Sequence, residues 1–292
     1  MFTKLFALLA VLASSLAAQT PVAIKAVPVS GHVHMITGQG GNIGVSVGDD
    51  GVFMIDDQYA PLSARINKVI KGLSEKPIRF VLNTHWHADH TGGNENFGKT
   101  GAVIVAHANT RKRMSTEQFL KAFNRRVPAS PKAALPVVTF TKSVTFHWNG
   151  DELNVFHVEH AHTDGDVVIH FKQANVFHMG DCYFSDRYPF IDTSSGDTLA
   201  GVVACADRVL ALANQKTKII PGHGPLSTRS QLKEWRDMLE AVHQQVHALK
   251  KAGKSVDEVI AAKPTKDFDE KWNGGRNADG WVSNIYGAVK KK

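Results

Sequence analysis

Six consecutive residues, His85-Trp86-His87-Ala88-Asp89-His90, set four metal-capable side chains directly after the apolar run Ile78-Arg79-Phe80-Val81-Leu82. Burying three imidazoles and a carboxylate together is costly unless a cation lies between them. A continued strand would scatter them, because successive side chains leave on opposite faces. A tight loop past the strand end can instead aim two imidazoles at one ion and the Asp-His pair at a second. Gly92 and Gly93, which follow, permit that sharp exit. The mixture of nitrogen and oxygen donors suits zinc. The chain therefore has to build a rim of strand ends.

Six residues cannot close two coordination shells, so further ligands must come from elsewhere. Three candidates follow strand-like runs and have glycine nearby: His162 in His160-Ala161-His162-Thr163-Asp164-Gly165-Asp166, Asp181 after Gly180, and His223 in Pro221-Gly222-His223-Gly224. His160 is the rival of His162, and the threonine that follows favours His162. Fifteen histidines in all raise the prior for a metal site without locating it.

Hydrophobic periodicity predicts strands at 23–33, 43–47, 51–55, 78–82, 102–105, 167–171, 175–179 and 217–220, and a hairpin of 137–148 with 153–157 around Asn149-Gly150. Helical spacing predicts helices at 62–73, 107–127, 198–213, 230–251 and 256–262. The β-β-β-α-β-α order roughly recurs in the second half. That implies an α/β chain: two mixed sheets face to face with helices outside.

Hydrophobic residues make up 43% and charged residues 21% of the 292-residue chain, a balance that argues against disorder. The formal charge of +7 raises nucleic acid as a partner. The basic clusters at 111–113, 125–126, 250–251 and 290–292 are too short for that, so no nucleic acid is expected. Lys4, the apolar run 5–12 and Ser15-Leu16-Ala17-Ala18 read as a signal peptide over residues 1–18. A periplasmic or secreted protein with no membrane contact after cleavage is the expectation. Cys182 and Cys205 are expected to be buried as small apolar side chains.

The His-x-His-x-Asp-His motif, the later His162-Thr163, Gly180-Asp181 and Pro221-Gly222-His223-Gly224 occur together and in order. In this the chain resembles the metallo-β-lactamase fold superfamily from about residue 27 to 239. The resemblance implies an αβ/βα four-layer sandwich with metals at its rim, here one metallo-hydrolase domain over 19–292 with C-terminal helices and a tail from about 228. It implies two Zn2+ per chain, with iron or manganese as alternatives. His85, His87 and His162 would hold the first ion, Asp89, His90 and His223 the second, and Asp181 would bridge them. Asp56 would orient a ligand from behind.

The activity so implied is that of a dinuclear zinc hydrolase. A bridging hydroxide, oriented by Asp89 as the catalytic carboxylate, attacks a small-molecule carbonyl: β-lactam, lactone, ester or thioester. Family members that are efficient β-lactamases place Cys where Asp181 stands and Lys where Phe184 stands. A glyoxalase II-like thioesterase or lactonase, with weak promiscuous β-lactamase activity, is the alternative. An iron-dependent oxidoreductase or a phosphodiesterase of the same fold ranks behind these. Tyr183 and Tyr188, in the segment after Asp181, are expected to border the substrate pocket. Trp86, Phe184 and Phe190 are expected to serve packing, and the loop 118–136 to cover the site.

Overall fold

All four side chains of Val52–Ile55 are buried, and they alternate between two apolar layers. Phe53 and Ile55 point into one, Val52 and Met54 into the other. A strand buried on both faces must lie inside a layered structure. Each such side chain contributes roughly 1.5–3 kcal/mol of transfer free energy.

The structure, a computed structural model, describes residues 22–274 and 277–288. The expected signal segment 1–18 and the basic cluster 290–292 lie outside the described residues. One sheet contains β1 (Lys25–Ser30), β2 (Val33–Thr37), β3 (Ile43–Ser46), β4 (Val52–Ile55), β5 (Ile78–Asn83) and β6 (Val103–His107). A separate hairpin follows, β7 (Gln118–Leu120) with β8 (Arg125–Val127), and β9 (Val138–Phe140) then completes the first sheet beside β6. The second sheet runs β10 (Ser143–Trp148), β11 (Asp151–His157), β12 (Val167–Phe171), β13 (Val176–His178), β14 (Lys218–Ile220) and β15 (Ser227–Thr228). Pairing is antiparallel from β1 to β4, then parallel from β4 to β9. In the second sheet only β13 and β14 run parallel.

The sheets face each other across a layer of Phe53, Ile55, Leu82 and Val105 against Val155, Ile169, Phe171 and Ile220. Helices α1 (Ser63–Lys71), α2 (Ala88–Thr91), α3 (Asn94–Lys99) and α4 (Ala108–Met114) belong to the first half. Ile66 and Ile70 of α1 and Phe97 of α3 cover the outer face of its sheet. Helices α5 (Leu199–Leu212) and α6 (Arg229–Lys251) cover the second sheet. A capping box of Thr228 and Gln231 starts α6, and Leu232, Trp235, Leu239, Val242 and Val246 form its buried face. Helices α7 (Val256–Ala261), α8 (Asp269–Trp272) and α9 (Ala278–Ala288) pack on α6. The layers are thus the αβ/βα sandwich expected.

Two expectations are corrected. The helix predicted at 107–127 stops at Met114, and residues 118–127 form the β7–β8 hairpin instead. Its turn residue Asn124 takes a left-handed φ of 46°. The segment 137–148 is not one strand of a hairpin. It divides into β9 in the first sheet and β10 in the second, so the chain crosses between sheets at Thr141-Lys142.

Candidate metal centre

The parallel strands β4 and β5, and β13 and β14, end at one rim. The loops leaving them carry Asp56, His85–His90, Asp181 and His223, while the loop between β11 and β12 carries His162. The structure brings all seven predicted ligands together in two sets. His85, His87, His162 and Asp181 offer donor atoms within 4.8 Å of one another, and so do Asp89, His90 and His223. Asp181 joins the sets. Its Oδ2 lies 3.4 Å from His162 Nε2 and 3.9 Å from His85 Nε2. Its Oδ1 lies 3.1 Å from His90 Nε2 and 3.4 Å from His223 Nε2. Asp89 Oδ2 is 3.2 Å from His223 Nε2. The rival His160 is exposed and stands apart, its carbonyl accepting from Thr198 N–H.

Each imidazole that is held from behind turns its other nitrogen inward, as metal ligands require. His162 Nδ1 donates to the Phe190 carbonyl at 2.7 Å, and His90 Nδ1 to Asp56 Oδ2 at 2.7 Å. His85 Nδ1 is 3.0 Å from Thr84 Oγ1, whose own proton goes to Asp56 Oδ2 at 2.7 Å. His87 is reversed: its Nε2 faces Asp192 Oδ2 at 3.5 Å, leaving Nδ1 turned to His162 Nε2 at 2.9 Å. Asp56 therefore stands behind ligands of both sets, directly at His90 and through Thr84 at His85. Asp192 is a support that sequence reasoning missed, since nothing around position 192 marks it.

Two close approaches depend on glycine. A Cβ on Gly41 would fall 2.0 Å from the His90 ring, and one on Gly222 would fall 2.1 Å from Asp181 Oδ1. The two loops are tied by Asn42 N–H to the Gly222 carbonyl at 2.7 Å.

Burial lowers the His162 imidazole to about 4 and, reinforced by His90, holds His85 well below the usual range. Burial opposes charge on Asp181, but His223, His90 and His162 outweigh it and keep the carboxyl strongly acidic. On Asp89 burial is likewise outweighed by His90 and His223, leaving about 2. On His223 burial works against the cation, yet Asp181 and Asp89 raise it to about 9. Protons shared among imidazoles and carboxylates balance this cluster, and a divalent cation in each set would displace them. His85 Nε2 and Asp181 Oδ1 are buried without an aligned hydrogen-bond partner. That is the signature of donors shaped for an ion.

A cleft of about 550 Å³ opens over the cluster. Tyr183 and Tyr188 do not border it, contrary to expectation. The Tyr183 ring packs on Trp235 and its hydroxyl meets Ser227 Oγ at 2.7 Å. Tyr188 stacks on Trp281 and donates to Asp269 at 2.9 Å. Both are satisfied in the core beneath α6 and α9. The aromatics that do line the cleft are Tyr59, Trp86, Phe123, Phe184 and Phe190. Phe184 also stacks on His223 at 5.1 Å. Tyr59 comes just after a turn in which Asp56 and Gln58 both have positive φ. Burial and the nearby Asp89 raise its phenol, so it stays a donor. Cys182 and Cys205 are buried free thiols. Cys182 donates at 3.5 Å to Asp166, whose same oxygen takes the His162 N–H at 2.6 Å.

Two layered sheets with a His/Asp metal cluster at their shared rim define a class of metalloprotein. A model of the metallo-beta-lactamase superfamily matches residues 36–241, and the chain belongs to that superfamily. Among curated proteins, 2,4-dinitroanisole O-demethylase subunit alpha from Nocardioides sp. (strain JS1661) is 27% identical over 169 residues. The match takes in 54% of this chain and 46% of that protein, so the chain spans about half the length of this relative. Among solved structures, a metallo-beta-lactamase from Pontibacter korlensis has a TM-score of 0.59 at 22% identity, over 75% of this chain and 99% of that one. The inverting sec-alkylsulfatase Pisa1 from Pseudomonas sp. has a TM-score of 0.70 at 18% identity, over 90% of this chain and 50% of that one. At these identities the likeness is one of fold.

Proposed function

We propose that this chain is a dinuclear zinc hydrolase of small carbonyl compounds: lactones, esters or thioesters, with β-lactams as weaker substrates. The observation that carries this reading is Asp181, whose two oxygens face separate donor sets. His85, His87 and His162 would hold one ion with Asp181, and Asp89, His90 and His223 the other. Two such ions would bring the pKa of a bound water toward 7 and polarise a carbonyl oxygen. Asp89, which lines the cleft, would orient the attacking water and pass its proton on. Tyr59, on the cleft wall, would donate to the developing oxyanion. The aromatic walls exclude bulk water.

Phe184 in place of a cation, and Asp181 in place of a thiolate, argue against efficient β-lactam turnover. A second reading, cleavage of an aryl methyl ether, draws on the name of the curated relative and on the aromatic cleft. Iron-dependent redox chemistry and phosphodiester hydrolysis rank behind both. Metal analysis of the purified protein should find two zinc ions per chain. Nitrocefin, acyl-homoserine lactones, thioesters, dinitroanisole and phosphodiesters, tested with and without chelator, should show carbonyl hydrolysis that chelator abolishes and zinc restores. Turnover that survives complete metal removal would defeat the reading. The N-terminal apolar run supports export to the periplasm or medium, and a mature N-terminus near Gln19 by mass spectrometry would verify it.

A further inference from the structure

Among the described residues the β7–β8 hairpin pairs with no other strand. It is anchored by Leu120 and Val127, which pack with Trp86. Its turn carries Phe123 and Arg125 to the cleft wall, Phe123 lying 5.1 Å from Phe190. Arg125 is the one lysine or arginine among the described residues that line the cleft. Other arginines nearby are engaged: Arg126 pairs with Glu117 at 2.6 Å and Arg113 with Asp164 at 2.9 Å. The Arg125 side chain has no hydrogen bond or ion pair among the described residues, and its charge bears on the Tyr59 phenol in the same cleft.

A free guanidinium beside flat apolar walls is suited to an oxyanion, carboxylate or sulfonate, carried on an aromatic body. The position three residues beyond Asp181 supplies no cation, because it is Phe184, stacked on His223. Anion recognition would then fall to the hairpin.

We propose that Arg125 binds the carboxylate or sulfonate of an aryl substrate whose ring lies against Phe123, Phe190 and Trp86. The preferred substrates of the centre are then anionic aromatic compounds. For the reaction this rests on the hydrolase reading; for binding it does not.

Calorimetric titration of the metal-loaded protein with naphthalene-2-sulfonate and with uncharged 2-naphthalenemethanol tests it. The wild type should bind the sulfonate about tenfold or more tightly than the alcohol. Arg125→Ala should weaken sulfonate binding roughly ten- to hundredfold and alcohol binding less than about twofold. Arg125→Lys should recover part of the loss. Equal losses for both ligands, an unchanged sulfonate affinity in Arg125→Ala, or no sulfonate binding by the wild type would overturn the proposal. So would inorganic sulfate binding as tightly as the aryl sulfonate, because the aromatic walls would then contribute nothing. If the substrate screen finds no hydrolysis while this discrimination persists, the reaction assignment fails and the binding assignment stands.

Discussion

His85, His87 and His162 are 1%, 8% and 0% exposed, whereas Asp89 and His223 keep 24% and 21% of their side-chain surface open. The first set is the more buried, and its imidazoles are backed by Thr84, Asp192 or the Phe190 carbonyl. In the second set only His90 is both buried and braced, by Asp56. A closed set resists ligand exchange, while an open one admits water and substrate. On the proposed reading the contrast divides the labour: the more buried set would fix the geometry, and the more open set would meet the substrate.

The division is most sharply tested at the residue that belongs to both sides. Asp181→Ala should reduce metal content from two ions to at most one and lower kcat by about a thousandfold or more. Retention of both ions with near-normal turnover would dissolve the distinction. Next, His223→Ala should keep one ion after dialysis against chelator, whereas His162→Ala should keep none; elemental analysis reads both, and the reverse pattern would refute the asymmetry. Removing a brace should matter less. Asp56→Asn should weaken metal affinity roughly ten- to hundredfold. Asp192→Asn should act in the same direction but less, since its contact with His87 is longer. Competition with a chromogenic chelator ranks the two, and equal effects would mean that bracing is not graded.

The smallest effect concerns the segment that follows Asp192. Asp197 is buried with both oxygens unpartnered. Burial, with Asp166, Asp164 and Asp192 adding, raises it to about 8. An unfolded aspartate titrates near 3.9, so folding binds a proton here. Stability from this group falls as pH rises from about 4 to about 8 and then levels off. Asp197→Asn removes that slope. Its melting temperature should match the wild type near pH 4 and exceed it by several degrees at pH 8. Parallel melting curves across that range would show the charge to be satisfied after all.

The sequence displayed the chemistry better than the walls around it. Ligands sit where apolar runs stop, and that punctuation survives in a linear reading of His85–His90, Asp181 and His223. The hairpin was hidden because Phe119, Leu120, Phe123 and Val127 also repeat at helical spacing. Tertiary contact decides otherwise, since Leu120 and Val127 both reach Trp86 only if the chain turns at Asn124. Tyr183 and Tyr188 were misplaced for a related reason. Proximity to Asp181 along the chain does not determine direction, and α6 and α9 offered both hydroxyls and rings a better home. Tyr59 and Asp192 carried no local pattern at all, because their roles exist only once distant loops meet.

Each donor set draws side chains from both sheets, His85–His90 from one and His162, Asp181 and His223 from the other. A seated ion therefore rivets the two halves of the sandwich at their rim, and its binding energy adds to that of folding. When the metal is scarce, this edge would part sooner and proteases would find the chain earlier. Metal supply would then govern how long each molecule survives as well as how fast it works.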